Sequence, residues 1–357
     1  MKAKKKLIIK IVASILAIIL FISAYYAVVL WAGFLRLKDN IAISPRGKGG
    51  PKAPLGEVLT VMTYNVGFGA YSDDYSFFMD GGEHSRAFSK EAVIENISAS
   101  VELAQKVDPD FLFLQEVDIY GTRSHFVDQT QFFKDAYESY DRIEAVNYDS
   151  PYLLYPFDEP IGKNKSCIMT FSRYNVKDGT RRSLPVESFP NNLFDLDRAY
   201  TITRVYTEND NWLVLYNLHL SAYTSDGKIV EEQLKMLFED MQKDYDAGYY
   251  VLAAGDFNMD LLGDSSKYFE RSDGDFTWAK PFKTEFMPDC FTLSAATNAP
   301  SCRNADSPYR GDGTDFVITI DGMITGDNIE VISSETVDVG FANSDHNPVK
   351  FEIILKE

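Results

Sequence analysis

The chain opens with an unbroken apolar run: from Ile11 to Leu35 no residue carries a charge. An α-helix rises about 1.5 Å per residue, so such a run crosses a hydrocarbon core of about 30 Å with some tilt. Lys2, Lys4, Lys5, Lys6 and Lys10 precede it, and Tyr25, Tyr26 and Trp31 lie toward its far end, where aromatic belts mark the membrane boundary. A cleaved signal has a shorter apolar core followed by a small-residue site. Here Ser23, Ala24 and Ala27 fall inside the run instead. The pattern predicts a membrane anchor over residues 11–35, a basic cytoplasmic end at 1–10, and the remaining protein on the extracellular side. Arg36 and Lys38 on the far flank oppose that orientation but are outnumbered by the five lysines. Residues 36–56 are rich in Gly, Pro and Lys without periodicity and read as a flexible tether. A catalytic domain is expected over residues 57–357.

Beyond the tether the pattern becomes short apolar runs closed by polar residues, the signature of buried strands. They are Val58–Asn65, Phe111–Glu116, Cys167–Ser172, Tyr200–Val205, Trp212–His219, Tyr249–Asp256, Phe316–Asp321 and Val349–Leu355. Between them, Lys90–Lys106 places Val93, Ile94, Ile97 and Val101 at helical spacing, and Lys228–Tyr245 does so with Leu234, Leu237 and Met241. Strands alternating with helices predict an α/β domain. Five of the runs end in Asn65, Glu116, His219, Asp256 and Asp321, residues that coordinate metals or move protons. Open α/β sheets collect ligands at strand carboxyl ends. One polar strand end is ordinary; five, followed by Ser344-Asp345-His346, point to a site.

Charge narrows the partners. The chain is −18 overall, yet residues 1–38 hold seven basic residues and no acid, so the domain is more acidic still. A broad basic face for nucleic acid is disfavoured, although bound cations would reverse the field locally. Cys167, Cys290 and Cys302 form no CxxC or Cys/His cluster, which argues against a structural zinc site. Cys290 and Cys302 could close a short loop in an oxidising compartment.

Phosphoester hydrolysis needs neutralised phosphoryl oxygens, an activated water and help for the leaving oxygen. Mg²⁺ or Mn²⁺ meets the first need through hard oxygen ligands, for which Glu116 and Asp345 are suited, with the carbonyl of Asn65 as an added ligand. His346 is a candidate general base or phosphate contact oriented by Asp321, and Asp256 and Asn258 present an acceptor and a donor two residues apart.

These residues resemble the endonuclease/exonuclease/phosphatase superfamily, the group similar to pancreatic DNase and the neutral sphingomyelinases. TYNV (Thr63–Val66), QE (Gln115–Glu116), NLH (Asn217–His219), GDFN (Gly255–Asn258), ID (Ile320–Asp321) and SDH (Ser344–His346) before Pro348 follow the order of that family. The resemblance implies a four-layer α/β sandwich with two central mixed β-sheets flanked by helices. It also implies metal at Asn65, Glu116 and Asp345, with Asp256 and Asn258 positioning water and phosphate. His219 would stabilise the phosphoryl group, and Asp321 with His346 would do acid–base work. Arg198 resembles a basic phosphate contact, with a salt bridge to Asp195 or Asp197 as its other reading. Asn217 and Arg123 are further candidates for substrate binding, and Tyr152 or Tyr155 could be the tyrosine upstream of the middle strand. Lys163–Ser166 departs from a Gly-rich approach to substrate. His84, Arg86 and His125 lie in loops that would overhang the strand ends.

The expected activity is hydrolysis of a lipid headgroup or other extracellular phosphoester at the outer face of a membrane. The competing readings are a nuclease of the DNase type and a catalytically inactive surface binding module.

Overall fold

The computed structural model describes residues 2–33, 37–188, 197–222, 228–269 and 279–357. Helix α1 (Lys2–Gly33) precedes strands β1 (Ile41–Ile43) and β2 (Val58–Asn65), helix α2 (Lys90–Val107), strand β3 (Phe111–Gly121) and helix α3 (Gln129–Ala136). Strands β4 (Asp141–Asp149), β5 (Asn164–Ser172), β6 (Val176–Ser183), β7 (Ala199–Tyr206) and β8 (Trp212–His219) follow, then helix α4 (Lys228–Asp246) and β9 (Tyr250–Asp256). The chain closes with β10 (Phe291–Ser294), β11 (Cys302–Arg303), β12 (Val317–Ile318), β13 (Asp321–Gly326), β14 (Ile329–Thr336) and β15 (Val349–Leu355).

Two mixed sheets result, ordered β1-β6-β7-β8-β9-β13-β10 and β14-β15-β2-β3-β5-β4. Their apolar runs lack alternation because both strand faces are buried. Leu59, Val61, Phe111 and Phe113 of one sheet meet Leu213, Leu215, Leu252 and Met323 of the other in the central core. On the opposite face, Met62, Tyr64, Leu112 and Leu114 are covered by Val93 and Ile97 of α2 and Phe133 of α3. Val214, Tyr216 and Val251 of the first sheet lie under Leu234, Leu237 and Met241 of α4. The layers are therefore helix, sheet, sheet, helix, and each fully buried Leu or Phe contributes roughly 1.5–3 kcal/mol. Helix α2 starts where the Ser89 hydroxyl accepts the Ala92 N–H at 3.1 Å and stops where Asp108 turns left-handed at φ 52°.

Three expectations change and one open pairing resolves. Phe316–Asp321 is not one strand: Val317–Ile318 pairs with β11, and Asp321 opens β13 rather than ending a strand. Because β13 runs antiparallel to β9, its first residue meets the last residue of β9, and site geometry survives. Strand β3 continues past Glu116 to Gly121. Residues 41–53 are not a free tether. Ile41–Ile43 pairs with β6, Arg46 exchanges backbone hydrogen bonds with Arg142 at 3.0 and 2.8 Å, and the Ala53 N–H donates to the Tyr206 carbonyl at 2.7 Å. A Gly/Pro-rich segment keeps enough backbone donors and acceptors to satisfy a sheet edge. Finally, all three cysteines are free; Cys302 is buried, whereas the half-buried Cys290 thiol lies 3.3 Å from the Gln242 side-chain oxygen.

Helix α1 is exposed from Ala3 through Tyr25, has Tyr26, Val29, Leu30 and Gly33 half-buried, with Leu30 packed against the domain, and over Ala3–Gly33 is long and apolar enough to cross a membrane. Phe34 and Leu35 of the expected span lie outside the described residues.

Candidate active site

Sheet register brings the strand ends together. Parallel pairing of β8 with β9 sets His219 opposite Asp256, and antiparallel pairing of β13 with β9 sets Asp321 opposite the same residue. In the other sheet, parallel β2 and β3 set Asn65 opposite Gln115. Strand β15 begins with Val349 opposite Thr63, so the preceding Ser344–His346 segment arrives beside Asn65. The Ser344 hydroxyl fixes that arrival by donating to the Asn65 carbonyl at 2.8 Å.

Glu116 owes its position to a bulge. The β3–β5 register shifts between Leu114 and Val117, and Glu116 adopts φ 55°, left-handed for a non-glycine. Bulges re-aim side chains in this way, and left-handed residues of this kind concentrate at functional sites. The result is a side chain 24% exposed beside the fully buried Gln115.

Asp256 Oδ2 is the hub. It accepts from Asn65 Nδ2 at 3.0 Å and lies 3.5 Å from His219 Nε2 and 3.8 Å from His346 Nε2. Its other oxygen accepts the Asn258 backbone N–H at 2.8 Å, while Asn258, left-handed at φ 51°, anchors its amide on the Leu220 carbonyl at 2.8 Å. Glu116 Oε1 stands 3.3 Å from Asn65 Nδ2 and 3.9 Å from His219 Nε2. His346 Nδ1 lies 2.7 Å from Asp321 Oδ2.

The protonation states separate the two histidines. Burial depresses His219 well below the ordinary value, reinforced by the positive charge of Arg198, so its imidazole is neutral. Burial also opposes the charged form of His346, but the charge and hydrogen bond of Asp321 outweigh it and hold the ring well above the usual histidine range. Asp256 is raised by burial, against the lowering influence of His346.

Asp256, Asp321 and His346 offer ligand atoms within 4.8 Å of one another, compact enough for a metal. The short His346–Asp321 hydrogen bond already joins two of them, and suits a carboxylate orienting an imidazole. Glu116 and Asp345 suit a divalent cation better. Asp345 is raised by burial and again by the charge of Glu116, although His346 lowers it. Two half-buried hard oxygen donors whose charges oppose each other match the ligand preference of Mg²⁺ or Mn²⁺.

The remaining expected site residues fare unevenly. Asn65 Oδ1 accepts the Gly67 N–H at 3.0 Å and its main-chain carbonyl accepts the Ser344 hydroxyl at 2.8 Å, while its amide holds the two carboxylates. Asn217 does not face substrate. It is fully buried between the sheets, donating to the Met169 carbonyl at 2.8 Å and accepting from Gln115 at 2.8 Å. Arg123 is also withdrawn: it pairs with the fully buried Asp118 at 2.8 Å and stacks 3.9 Å from the Phe68 ring centroid. Its Nη1 reaches within 3.8 Å of Glu116 Oε2, so it backs that carboxylate rather than meeting substrate. Arg198 is buried just before β7, with its charge near His219; Asp195 lies outside the described residues. His84, Arg86 and His125 knit loops: His84 packs on Tyr75 and Phe88, Arg86 Nε donates to the Pro160 carbonyl at 2.8 Å, and His125 Nε2 lies 2.7 Å from the Ala87 carbonyl.

Two contributors carry no sequence signal. Ser301 Oγ donates to Asp321 Oδ2 at 2.8 Å and accepts the Ile320 and Asp321 N–H groups at 3.0 Å, fixing the carboxylate that orients His346. Arg303 is almost fully buried, donates its backbone N–H to the Asp345 carbonyl at 2.9 Å, and spends its guanidinium on the Ser72 and Tyr75 carbonyls at 2.9 and 3.2 Å. Its charge lies close enough to ease ionisation of Asp345. Both sit around the two-residue strand β11, too short for periodicity to reveal.

Solved structures share this architecture. An endonuclease/exonuclease/phosphatase from Beutenbergia cavernae superposes with a TM-score of 0.58 at 17% identity, over 84% of this chain and 72% of that one. ANGEL2, a 2',3'-cyclic phosphatase solved with adenosine-2',3'-vanadate, gives 0.54 at 13% identity, over 89% and 99%. A family protein from Bacteroides thetaiotaomicron gives 0.51 at 16% identity, over 84% and 99%. At these identities the likeness speaks for the fold. No curated protein matches the chain in sequence. The sequence profile of one family matches residues 62–346, a stretch that contains every residue of the cluster around Asp256. The chain therefore belongs to the endonuclease/exonuclease/phosphatase family, whose fold carries metal-dependent phosphoester hydrolysis.

Proposed function

We propose that this protein hydrolyses a phosphoester at the outer face of a membrane, held there by α1, with a lipid headgroup as the substrate that suits the tether and the acidic surface. The observation that carries the chemistry is the convergence on Asp256 Oδ2 of a neutral histidine, His219 at 3.5 Å, and a carboxylate-oriented one, His346 at 3.8 Å.

Glu116 and Asp345 would hold Mg²⁺ or Mn²⁺, which when bound supplies charge neutralisation at a phosphoryl oxygen. Asn65 steadies Glu116 and Asp256 by donating to both. Asp256, its basicity increased by burial, accepts the proton of the attacking water. Neutral His219 donates a hydrogen bond to a phosphoryl oxygen. His346, kept protonated by Asp321, gives its Nε2 proton to the leaving oxygen. Asn258 fixes Asp256 through its backbone N–H, while its side-chain amide is anchored on the Leu220 carbonyl. Proton transfer of this kind is worth roughly 10²–10⁴-fold. Arg198 adds positive charge behind His219.

The test is a phosphoester panel, with phospholipid vesicles, a chromogenic diester, a monoester and plasmid DNA, offered to the full chain with Mg²⁺ or Mn²⁺. Cleavage of vesicle phosphoester with inert DNA supports the reading. Rapid DNA cleavage with inert lipid makes the protein a nuclease, and inertness on all four favours a binding module.

A further inference from the structure

The loop between β4 and β5 exposes an unusual set of side chains for a water-facing turn. Tyr152 is 41% exposed, Tyr155 63% and Phe157 83%, with Leu154 between them at 36%. Met79, 56% exposed, lies beside this set, because Phe78 packs its ring 5.8 Å from that of Tyr155. Large apolar groups clustered at one place mark an interaction surface rather than scattered surface residues.

What covers this surface follows from where α1 meets it. The Tyr26 hydroxyl donates to the Tyr152 carbonyl at 3.2 Å and accepts the Leu154 N–H at 3.1 Å. About 20 helical residues cross the hydrocarbon layer, so a span beginning at Ile11 ends near Leu30. Tyr26 then lies about 6 Å inside that boundary along the axis, within side-chain reach of the layer where tyrosines form interfacial belts. Whatever bonds to the Tyr26 hydroxyl shares that depth. The loop tip is therefore carried to the membrane boundary by the helix itself, and its aromatic side chains fit that layer, apolar in the body and polar at the tip.

The same geometry orients the site. Strand β3 runs on from Glu116 to Gly121, so the β4–β5 loop lies at the end of the sheet toward which the site opens. Thr122 Oγ1 donates to the Lys163 carbonyl at 3.1 Å and Arg86 to the Pro160 carbonyl at 2.8 Å, tying the loop to its neighbours at that end. We infer that the Tyr152–Phe157 loop inserts into the lipid interface beside α1 and holds the catalytic mouth against the bilayer that anchors the chain. This rests on the reading of α1 as membrane-spanning, and it narrows the substrate to phosphoesters presented by that same bilayer. Asp158 and Glu83 are exposed near the tip, so insertion depends on apolar burial and not on anionic lipid.

The test uses the full chain in phosphatidylcholine nanodiscs, with Cys290→Ser removing the half-buried thiol. An environment-sensitive label is placed in turn at Phe157→Cys, at Leu16→Cys inside α1, and at Glu330→Cys at the opposite end of the sheet. The Phe157 label should be quenched by brominated acyl chains as the Leu16 label is, and be several-fold less accessible to aqueous iodide than the Glu330 label, at low and high salt alike. A Phe157 label that behaves like Glu330 while Leu16 lies in lipid overturns the insertion and leaves the anchor standing. An aqueous Leu16 label overturns the spanning helix, and the insertion falls with it. Lipid quenching at Phe157 only when anionic lipid is added overturns the apolar mode of docking. Circular dichroism on each labelled chain confirms the fold, and since Phe157 is exposed its replacement removes no core contact.

Discussion

Asp321→Asn keeps the shape of the site and removes the charge that faces His346. The bond it weakens is short, 2.7 Å from His346 Nδ1 to Asp321 Oδ2, and charge-assisted. Hydrogen bonds to charged groups contribute about 1.5–3 kcal/mol, so removing the Asp321 charge should lower the His346 pKa. The direction follows from the native state. His346 is held well above the ordinary histidine value, so the ring is protonated at neutral pH and loses its proton only as pH rises through that raised value. If the imidazolium is the general acid, activity declines on the alkaline side, and the variant's alkaline limb moves to lower pH. The same free energy, lost from the transition state, lowers kcat/KM by on the order of 10- to 100-fold at neutral pH. The assay is the pH dependence of kcat/KM on a chromogenic phosphodiester with saturating Mg²⁺, with circular dichroism confirming the fold. An alkaline limb that stays in place, or moves upward, in a folded variant would refute the pairing as the source of acid catalysis.

Chelation by EDTA should abolish hydrolysis and Mg²⁺ or Mn²⁺ should restore it, whereas Glu116→Gln and Asp345→Asn should each raise the metal concentration needed for half-maximal rate. Arg123→Ala should lower stability by about 3–5 kcal/mol in denaturant unfolding, because it leaves the fully buried Asp118 without its cation; a loss of activity at unchanged stability would instead mark Arg123 as a substrate contact. Gly67→Ala should damage both fold and site, since at φ 50° the new Cβ would stand 2.7 Å from the Tyr71 ring and 2.8 Å from Asp345 Oδ1. The cost expected from left-handed backbone strain is about 1–3 kcal/mol, read as a lowered Tm with weakened metal dependence.

The strands that carry the site were the most legible. Val58–Asn65 and Trp212–His219 match β2 and β8 at both ends, because runs buried on both faces show as continuous apolar segments. Strand β4 was not legible. Its sequence, DRIEAVNYD, alternates buried and half-exposed positions and looks as polar as a loop. Strand β6, VKDGTRRS, is more polar still and is held by its neighbours rather than by its own apolar content. The same limit hid Asp321 as a strand start, since an apolar run ending in an acid reads identically whichever side of the acid pairs. The clustering of candidate site residues was legible where residue type decides it, at Glu116, His219, Asp256 and His346. It failed for Asn217 and Arg123, because a polar residue next to a catalytic one serves the core or the substrate according to which face it points from, and only the sheet register decides that.

The central claim is that Asp256, flanked by His219 and His346, is where a phosphoester is cleaved. The most direct measurement is kcat/KM of the full chain and of its Asp256→Asn variant on the best phosphoester of the panel, under saturating Mg²⁺, with secondary structure and Tm recorded alongside. The account predicts a loss of at least about 10²-fold with the fold retained. Hydrolysis at the wild-type rate by folded Asp256→Asn would contradict it.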